Sequence, residues 1–234
     1  MTVQGTPVLI GCAHGTNSPV GQQAVRDLLD AVRLALPGVE VREAYVDVHG
    51  PTLADVIADL PVAEEGLAAV VVPLLLAGGY HVHHDIAEAV AMRPDVVAAG
   101  ALGPDARLTA IVLDRLREAH VSHESTLVLA AAGSSDERAM ADTEAAAEML
   151  RGTWEGPVRV AFAAGHPPSV AEAVRSARNY GEDGTVAVAS FLLVPGVFQA
   201  RLEEAGADVV TPALAPHPEL VSIVIDRYGS FVHR

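Results

Sequence analysis

Short apolar runs alternate with amphipathic stretches along most of the chain. The first run, PVLIGC (7–12), is unbroken, which is typical of a parallel strand buried on both faces. An amphipathic helix is predicted over 18–36, where Ser18 can cap the start and Pro19 suits the first position. The remaining elements predicted in the first half are strands over 39–46, 67–76 and 95–100 and helices over 51–60, 83–92 and 104–120.

A polar stretch, VSHES (121–125), interrupts this pattern, and the same order of elements begins again after it. Repeated alternation of strand and helix indicates a parallel sheet with helices on both faces. Two such series in tandem predict an α/β protein with two duplicated domains. We expect these domains to span residues 1–122 and 123–234.

The second half of the chain is a degenerate copy of the first. Segment 41–57 aligns without a gap on 158–174 at an offset of 117 residues. The same offset aligns 70–82 with 187–199, and a third match, near the start of each half, has an offset near 118. Three matches in the same order at nearly one offset indicate duplication.

Four polar residues of the first half are replaced by apolar residues in the second. Because the copy keeps its pattern of strands and helices without them, they are candidates for function more than for architecture. The four pairs are His14 and Ala132, Asp47 and Ala164, His81 and Phe198, and Asp85 and Leu202.

Three of these residues are predicted to meet at one edge of the first sheet. His14 follows the first strand, Asp47 ends the second and His81 follows the third. The carboxyl ends of parallel strands share an edge, and ligands bind in the crevice there. Two imidazoles and a carboxylate suit a borderline divalent ion such as Fe²⁺, Co²⁺ or Ni²⁺. Taken singly, a histidine after a strand is more often a turn residue than a ligand, but the joint loss of all three residues in the second half favours a site for the set.

The segment GGYHVHHDI (78–86) supplies further candidates. Helical spacing puts His81, His84 and Asp85 on one face, whereas His83 is expected to point into solvent. His84 is therefore a candidate auxiliary ligand. Asp85 either orients the His81 ring or favours the helix N-terminus through the helix dipole.

Other residues are predicted to have structural roles. His49 and His166 occupy the same place in both halves, after a strand and before a helix, which indicates capping or packing of that turn. Cys12 lies in an apolar strand and is expected to be buried. A single cysteine cannot form an internal disulfide, which is typical of a reducing cytoplasm.

Composition and charge exclude several classes of protein. The net charge is −15 and the fifteen basic residues are all arginine, so neither nucleic acid nor an anionic membrane surface is an expected partner. No apolar run is long enough to span a membrane, and the start of the chain lacks a signal peptide pattern. Gly-rich phosphate loops and a nucleophile elbow are also absent from the sequence. We therefore expect a cytoplasmic protein that needs no nucleotide.

Four segments resemble the sirohydrochlorin chelatases, the class II tetrapyrrole chelatases of siroheme and cobalamin synthesis. The resemblance covers nearly the whole chain. It implies two similar α/β domains that face each other across a cleft, in a fused pseudo-dimer that we expect to be a monomer. The segments are AHGT (13–16), PLLLAGGYHVHHDI (73–86), AAGSSD (131–136) and ASFLLVPG (189–196).

The resemblance also implies an activity and roles for residues. The enzyme would insert Fe²⁺ or Co²⁺, with Ni²⁺ as a further option, into sirohydrochlorin, and the metal would be a substrate with no organic cofactor required. His14 and His81 match the metal-binding and catalytic pair. Asp47 stands where the family tends to have Glu, one methylene longer.

Substrate contacts are expected at the same edge and opposite it. Gly15 and Thr16 belong to the AHGT segment. Because sirohydrochlorin bears eight carboxylates and the protein is acidic, positive charge should face the cleft. Arg201, which aligns with His84, is the candidate for that charge.

Three alternatives remain open from the sequence. One is a chelatase for another tetrapyrrole or another metal. A second is a protein that binds or delivers metal without catalysis, which would bind metal but no tetrapyrrole. A third is a small-molecule binding protein of two α/β domains, whose ligand binding would not depend on His14.

Overall fold

A computed structural model of the chain describes residues 6–179 and 184–232, with the backbone alone at positions 82 and 83. The first half alternates strands and helices, and a π-helix precedes α3. Its elements are β1 (Val8–Ala13), α1 (Pro19–Ala35), β2 (Val41–Tyr45), α2 (Leu53–Ala58), β3 (Ala69–Pro73), the π-helix (His81–Ile86), α3 (Ala87–Ala91), β4 (Val96–Ala98) and α4 (Ala106–Glu118).

The second half repeats this order, with one ordinary helix where the first half has the π-helix and α3. Its elements are β5 (Thr126–Ala131), α5 (Glu137–Arg151), β6 (Val158–Phe162), α6 (Val170–Asn179), β7 (Val186–Phe191), α7 (Val197–Glu203), β8 (Val209–Val210) and α8 (Pro218–Val232).

Both halves build a four-stranded parallel sheet with the same topology. The strand orders are β2-β1-β3-β4 and β6-β5-β7-β8. The register is also the same, since Leu9 pairs with Val41 in one sheet and Leu127 pairs with Val158 in the other. The predicted duplicated α/β fold is therefore confirmed. The register fixes the offset at 118 for β1 and β5, as from Leu9 to Leu127.

Each sheet carries helices on both faces, and the inner faces share one apolar core. Successive strand residues point to opposite faces, so Leu9 enters the shared core whereas Ile10 enters a separate outer cluster. Helices α1, α4, α5 and α8 fill the space between the sheets. Helices α2 and α3 cover the outer face of the first sheet, and α6 and α7 cover that of the second.

The last helix of each half packs against the sheet of the other half. Helix α8 contacts α1 and β3, and α4 contacts β7. The Tyr228 hydroxyl donates to the Pro7 carbonyl at 2.6 Å, which ties α8 to the start of β1. In the opposite direction, Arg115 of α4 donates to the carbonyls of Leu214 and Pro216 at 2.9 and 2.6 Å. The two halves therefore exchange their final helices.

The helices begin where the sequence places capping residues. Ser18 accepts a hydrogen bond from the Gly21 N–H at 3.3 Å, and Asp136 accepts one from the Arg138 N–H at 2.9 Å. Ser18 and Asp136 are equivalent positions, so both halves start this helix in the same way. Within the described part of the chain, every helix is too short or too polar to cross a bilayer.

Candidate metal and catalytic site

The rings of His14 and His81 lie in contact at the carboxyl edge of the first sheet. His14 is the first residue after β1, and His81 opens the π-helix that follows β3. Their ring centroids are 4.5 Å apart and the ring planes are perpendicular. The structure thus brings together two residues that are far apart in sequence. Both side chains are partly accessible to solvent.

Asp85 fixes the orientation of the His81 ring. Its Oδ2 lies 2.6 Å from Nδ1 of His81, and the two side chains are 33% and 34% exposed. An ionised carboxylate can only accept a hydrogen bond, so Nδ1 carries the proton and Nε2 keeps its lone pair. Carboxylates commonly hold metal-binding histidines in this way. Of the two roles that the sequence left open for Asp85, the geometry favours orientation of His81.

The His84 ring stacks on that of Tyr80. The two rings are 4.7 Å apart with an interplanar angle of 14°. Its Nδ1 lies 3.5 Å from Asp85 and 3.7 Å from Glu88. His84 therefore lies near the acidic side of the helix, and its role as an auxiliary ligand stays a prediction. The side chain of His83 lies outside the described residues.

Asp47 lies beside His14 through its main chain. Its N–H donates to the His14 carbonyl at 3.1 Å, and its Oδ1 accepts from the Val48 N–H at 2.7 Å. Among the side chains that the structure describes, which do not include that of His83, no three histidine, cysteine, aspartate or glutamate residues converge closely enough to hold an ion together. The structure therefore gathers the two histidines, and a third ligand from Asp47 stays a prediction.

Cys12 lies in β1 and is fully buried, as predicted. Burial raises the pKa of its thiol to about 12, and the negative charge of Asp85 adds to this effect. Since the thiolate is the form that binds metals, the protonated side chain is unsuited to be a ligand at neutral pH. Cys12 is part of the apolar support beneath the site.

Gly15 has the same conformational reason to be glycine as its equivalent Gly133. Their φ angles are +97° and +96°, in the left-handed region. A Cβ at Gly15 would lie 2.4 Å from the Asp47 carbonyl oxygen, and one at Gly133 would lie 1.8 Å from that of Ala164. The loop shape therefore accounts for both glycines. A substrate contact at Gly15 stays a prediction.

Thr16 also has a structural equivalent, Ser134. The Thr16 hydroxyl accepts from the Ser18 N–H at 3.1 Å, and the Ser134 hydroxyl accepts from the Asp136 N–H at 3.0 Å. Each hydroxyl thereby shapes the loop that leads into the next helix. A substrate contact at Thr16 is not required to explain its presence and stays a prediction.

Arg201 lies at the corresponding edge of the second sheet. Its Nη1 donates to the Ala163 carbonyl at 3.2 Å, just beyond β6. The guanidinium carbon is 5.5 Å from the centre of the Phe198 ring, close enough for a cation–π contact. The side chain is exposed. This arrangement holds a positive charge at the edge that matches the histidine edge of the first half.

His49 and His166 pack into their turns, as predicted. In each, Nδ1 lies near the carbonyl of the next residue, at 3.0 Å for His49 and 2.5 Å for His166. The His49 ring packs 4.0 Å from Tyr45, and the His166 ring packs 5.4 Å from Phe162. The equal placement in both halves assigns these histidines to the architecture.

The two carboxyl edges face each other, and sequence reasoning missed several residues between them. A Cβ added to Gly196 of the second half would lie 3.3 Å from the Thr16 hydroxyl, which shows how closely the edges approach. A shallow depression of about 510 Å³ lies between Tyr80 of the first half and the start of α5 in the second half. An apolar residue stands at the same position in both halves, Tyr80 and Val197, which is visible in the sequence, and both side chains are exposed in the structure. The depression is lined by Tyr80, Ser135, Asp136, Glu137 and Arg138.

Comparison with known proteins gives a consistent result. A model of the CbiX family matches residues 8–119 and again residues 126–230. A sirohydrochlorin ferrochelatase from Priestia megaterium is 26% identical over 209 residues, which cover 76% of this chain and 78% of that protein. A sirohydrochlorin cobaltochelatase from Methanopyrus kandleri is 27% identical over 139 residues, or 48% of this chain and 94% of the relative.

The fold is also found among solved structures. SirB from Bacillus subtilis, determined with Fe³⁺, superposes with a TM-score of 0.77 and covers 97% of this chain and 96% of its own. The sequence identity of that pair is 20%. At this level of identity the likeness establishes the shared two-sheet architecture.

Proposed function

The chain belongs to the CbiX family, and on that premise we propose that it inserts a divalent metal ion, Fe²⁺ or Co²⁺, into sirohydrochlorin. The observation that carries this proposal is the contact between His14 and His81, with ring centroids 4.5 Å apart. Both relatives named above are sirohydrochlorin chelatases, one for iron and one for cobalt. Ni²⁺ is the next metal to test.

The chemistry of insertion suits a pair of neutral imidazoles. Two pyrrole N–H protons must leave the macrocycle while the metal ion enters it. A neutral imidazole can accept a proton or a metal ion at cytoplasmic pH. The hydrogen bond from His81 to Asp85 holds the ring in place and leaves Nε2 of His81 available as an acceptor. His14 presents a second imidazole to the same space.

The number of protein ligands matters because the metal is a substrate that must be released. A closed four-ligand site holds its ion permanently, whereas a site with open positions can pass it on. Two histidines are a small ligand set, and Asp47 is proposed as a third ligand. His84 is proposed as an auxiliary ligand that shifts from Tyr80 when an ion is bound. No organic cofactor is required for this reaction.

Substrate binding is proposed for the surface between the two sheets. Arg201 would meet substrate carboxylates from the side of the second half, and Gly15 and Thr16 would meet the macrocycle from the first. We further propose that residues 1–122 and 123–234 are the duplicated domains, joined in a monomeric chain. A reducing cytoplasm suits the single buried thiol of Cys12.

The test is a direct assay of insertion. Purified protein is mixed with sirohydrochlorin and Fe²⁺ or Co²⁺ under anaerobic conditions, and the absorbance change of the macrocycle is followed. We expect insertion well above the rate without protein, and loss of that rate in a variant with both His14→Ala and His81→Ala. Metal binding without tetrapyrrole binding would indicate a delivery protein. Equal rates for the wild type and the double variant would refute the proposed site.

A further inference from the structure

A hydrogen bond joins the segment before His81 to the second half of the chain. The Gly78 N–H donates to Oδ2 of Asp142 at 2.7 Å. Gly78 lies between β3 and the π-helix, whereas Asp142 lies in α5. The bond is partly buried and its acceptor is a carboxylate, a combination that makes it stronger than a bond between neutral groups.

Close packing holds the next residue of this segment against the same helix. A Cβ added to Gly79 would lie 3.1 Å from Cβ of Ala139 and 3.4 Å from the Ser134 hydroxyl. Tyr80 and His81 follow directly. Among the described residues no side chain caps the π-helix at Tyr80, so its start is held by what precedes it. The contacts of Gly78 and Gly79 therefore tie the segment that leads into His81 to the second half.

The equivalent contact in the other half cannot contain this hydrogen bond. The position that matches Gly78 is Pro195, which has no N–H to donate. The position that matches Asp142 is Ala24, which has no acceptor in its side chain. Instead, the Pro195 carbonyl packs so closely on Gly21 that a Cβ there would lie 2.4 Å from it. The bond thus occurs only on the side of the chain that carries His81.

We propose that Asp142 is a positioning residue: the second half, which lacks the histidine pair, uses it to fix the segment that presents His81 to His14. The consequence for metal insertion rests on the proposed function, but the consequence for the geometry of His81 does not. Loss of the bond would let the segment from Gly78 to His81 move. The two imidazoles would then spend less time close enough together to share an ion.

The test uses Co²⁺ alone as the probe, titrated into the full-length protein and followed by its visible absorption bands. Three variants are compared: Asp142→Ala, Asp142→Asn and Glu144→Ala. Glu144 is the matched control, an exposed carboxylate of the same helix whose partner is Arg151 at 2.6 Å. Asn keeps an oxygen that can accept from the Gly78 N–H. Melting temperatures and the ¹⁵N-resolved amide signal of Gly78 are recorded for each protein.

We expect Asp142→Ala to weaken Co²⁺ binding about tenfold, as loss of an outer support commonly does. Its Gly78 amide proton should shift upfield because the carboxylate acceptor is gone. Asp142→Asn should recover most of the affinity, and Glu144→Ala should match the wild type. A role in stability alone would lower the melting temperature of Asp142→Ala without changing its Co²⁺ affinity.

Two results would overturn the inference. One is Co²⁺ affinity in Asp142→Ala equal to that in Glu144→Ala. The other, should Asp142→Ala not fold, is an Asp142→Asn protein whose Gly78 amide signal shows that the hydrogen bond is lost but whose Co²⁺ affinity equals that of the wild type. Failure of the proposed function looks different: wild-type protein would bind Co²⁺ with the expected dependence on Asp142 but would not insert it into sirohydrochlorin.

Discussion

The carboxyl edges of the two sheets share their strand order, turn glycines and turn histidines, but they differ in the residues that could bind a metal ion. In the second half those positions are apolar. Besides Asp47 and Ala164, the differing pairs are His14 and Ala132, His81 and Phe198, and Asp85 and Leu202.

The apolar members of these pairs contribute to the core of the second half. Leu202 is fully buried, and Phe198 packs against the same cluster. Asp85, at the position of Leu202, is instead 33% exposed and hydrogen bonded to His81. The first half therefore gives up apolar packing at the positions where it gains polar groups. This is the pattern expected where activity and stability compete for the same residues.

The largest effect is expected when the histidines of the first edge are removed, so that it resembles the second. We expect His14→Ala and His81→Ala each to lower metal insertion about a hundredfold or more, since each removes a ligand or a base. Both variants should stay folded, because Ala132 and Phe198 occupy the equivalent positions. Insertion is measured by absorbance and folding by circular dichroism. His166→Ala, in the half without the pair, is the control, and a comparable loss there would contradict the assignment.

The glycines test what the two edges have in common. Gly15→Ala and Gly133→Ala should each destabilise the protein by about 3 kcal/mol, because each adds a side chain at positive φ and against a carbonyl oxygen. Urea unfolding measures the change. A Gly15→Ala protein of near wild-type stability that has lost tetrapyrrole binding would instead identify Gly15 as a substrate contact.

A smaller effect is expected from the support of His81. Asp85→Asn should lower Co²⁺ affinity and insertion about 10- to 100-fold, because the His81 ring loses its charged acceptor and its fixed tautomer. Tetrapyrrole binding, measured by fluorescence quenching, should change little. Leu202→Asn is the matched substitution in the other half and should affect stability alone. If Asp85→Asn inserted metal at the wild-type rate, the orientation of His81 by Asp85 would have no role in insertion.

The smallest difference concerns acid stability at two aspartates, each of which directly precedes the last strand of its sheet. The Arg93 guanidinium and the Ala63 N–H hold the pKa of Asp95 well below its usual range. Arg178 and the Val186 N–H lower the pKa of Asp208 in the same direction. In both cases the folded state favours the ionised carboxylate. The stability gained is present above the unfolded pKa of about 3.9 and is lost as the pH falls toward the lower folded value.

The two aspartates should differ in size of effect because their ion pairs differ in exposure. The Arg93–Asp95 side chains are 18% and 12% exposed, against 44% and 42% for Arg178–Asp208. At pH 7 we expect Asp95→Asn to lower the Tm by about 4 °C and Asp208→Asn by less. Thermal melts at pH 7 and below pH 4 check this, and the deficit of each variant should shrink at the lower pH. A Tm deficit that grows as the pH falls would contradict the predicted direction of the pH dependence.

Local patterns were enough to predict much of this fold. Unbroken apolar runs such as VLIGCA, now β1, are typical of strands buried on both faces, and capping residues such as Ser18 mark where helices begin. Comparison of the halves added what one pattern could not, since it separated His14 and His81 from the turn histidines. The predicted strand over 67–76 was too long, because the chain leaves the sheet after Pro73.

Three features had no local signal. The residue pattern of the apolar faces of α4 and α8 is the same whichever sheet they pack against, so the exchange of these helices could not be predicted. The predicted helix over 83–92 begins earlier, at His81, and its first six residues form a π-helix. A π-helix differs from an α-helix in hydrogen bonding and not in residue pattern, so the sequence did not reveal it. Asp142 looks like any acidic residue on the polar face of a helix until the other half is placed beside it.

The exchanged helices carry a consequence for how such a chain could have arisen. A half chain on its own would leave part of the inner face of its sheet uncovered until a second copy supplied its last helix. Its folding would then be a bimolecular event that fails on dilution. The stretch at 121–125 turns that encounter into an intramolecular one, at an effective concentration in the millimolar range for short linkers. Once the two copies were joined, one of them could lose its metal-binding residues while its last helix still packed against the sheet of the other.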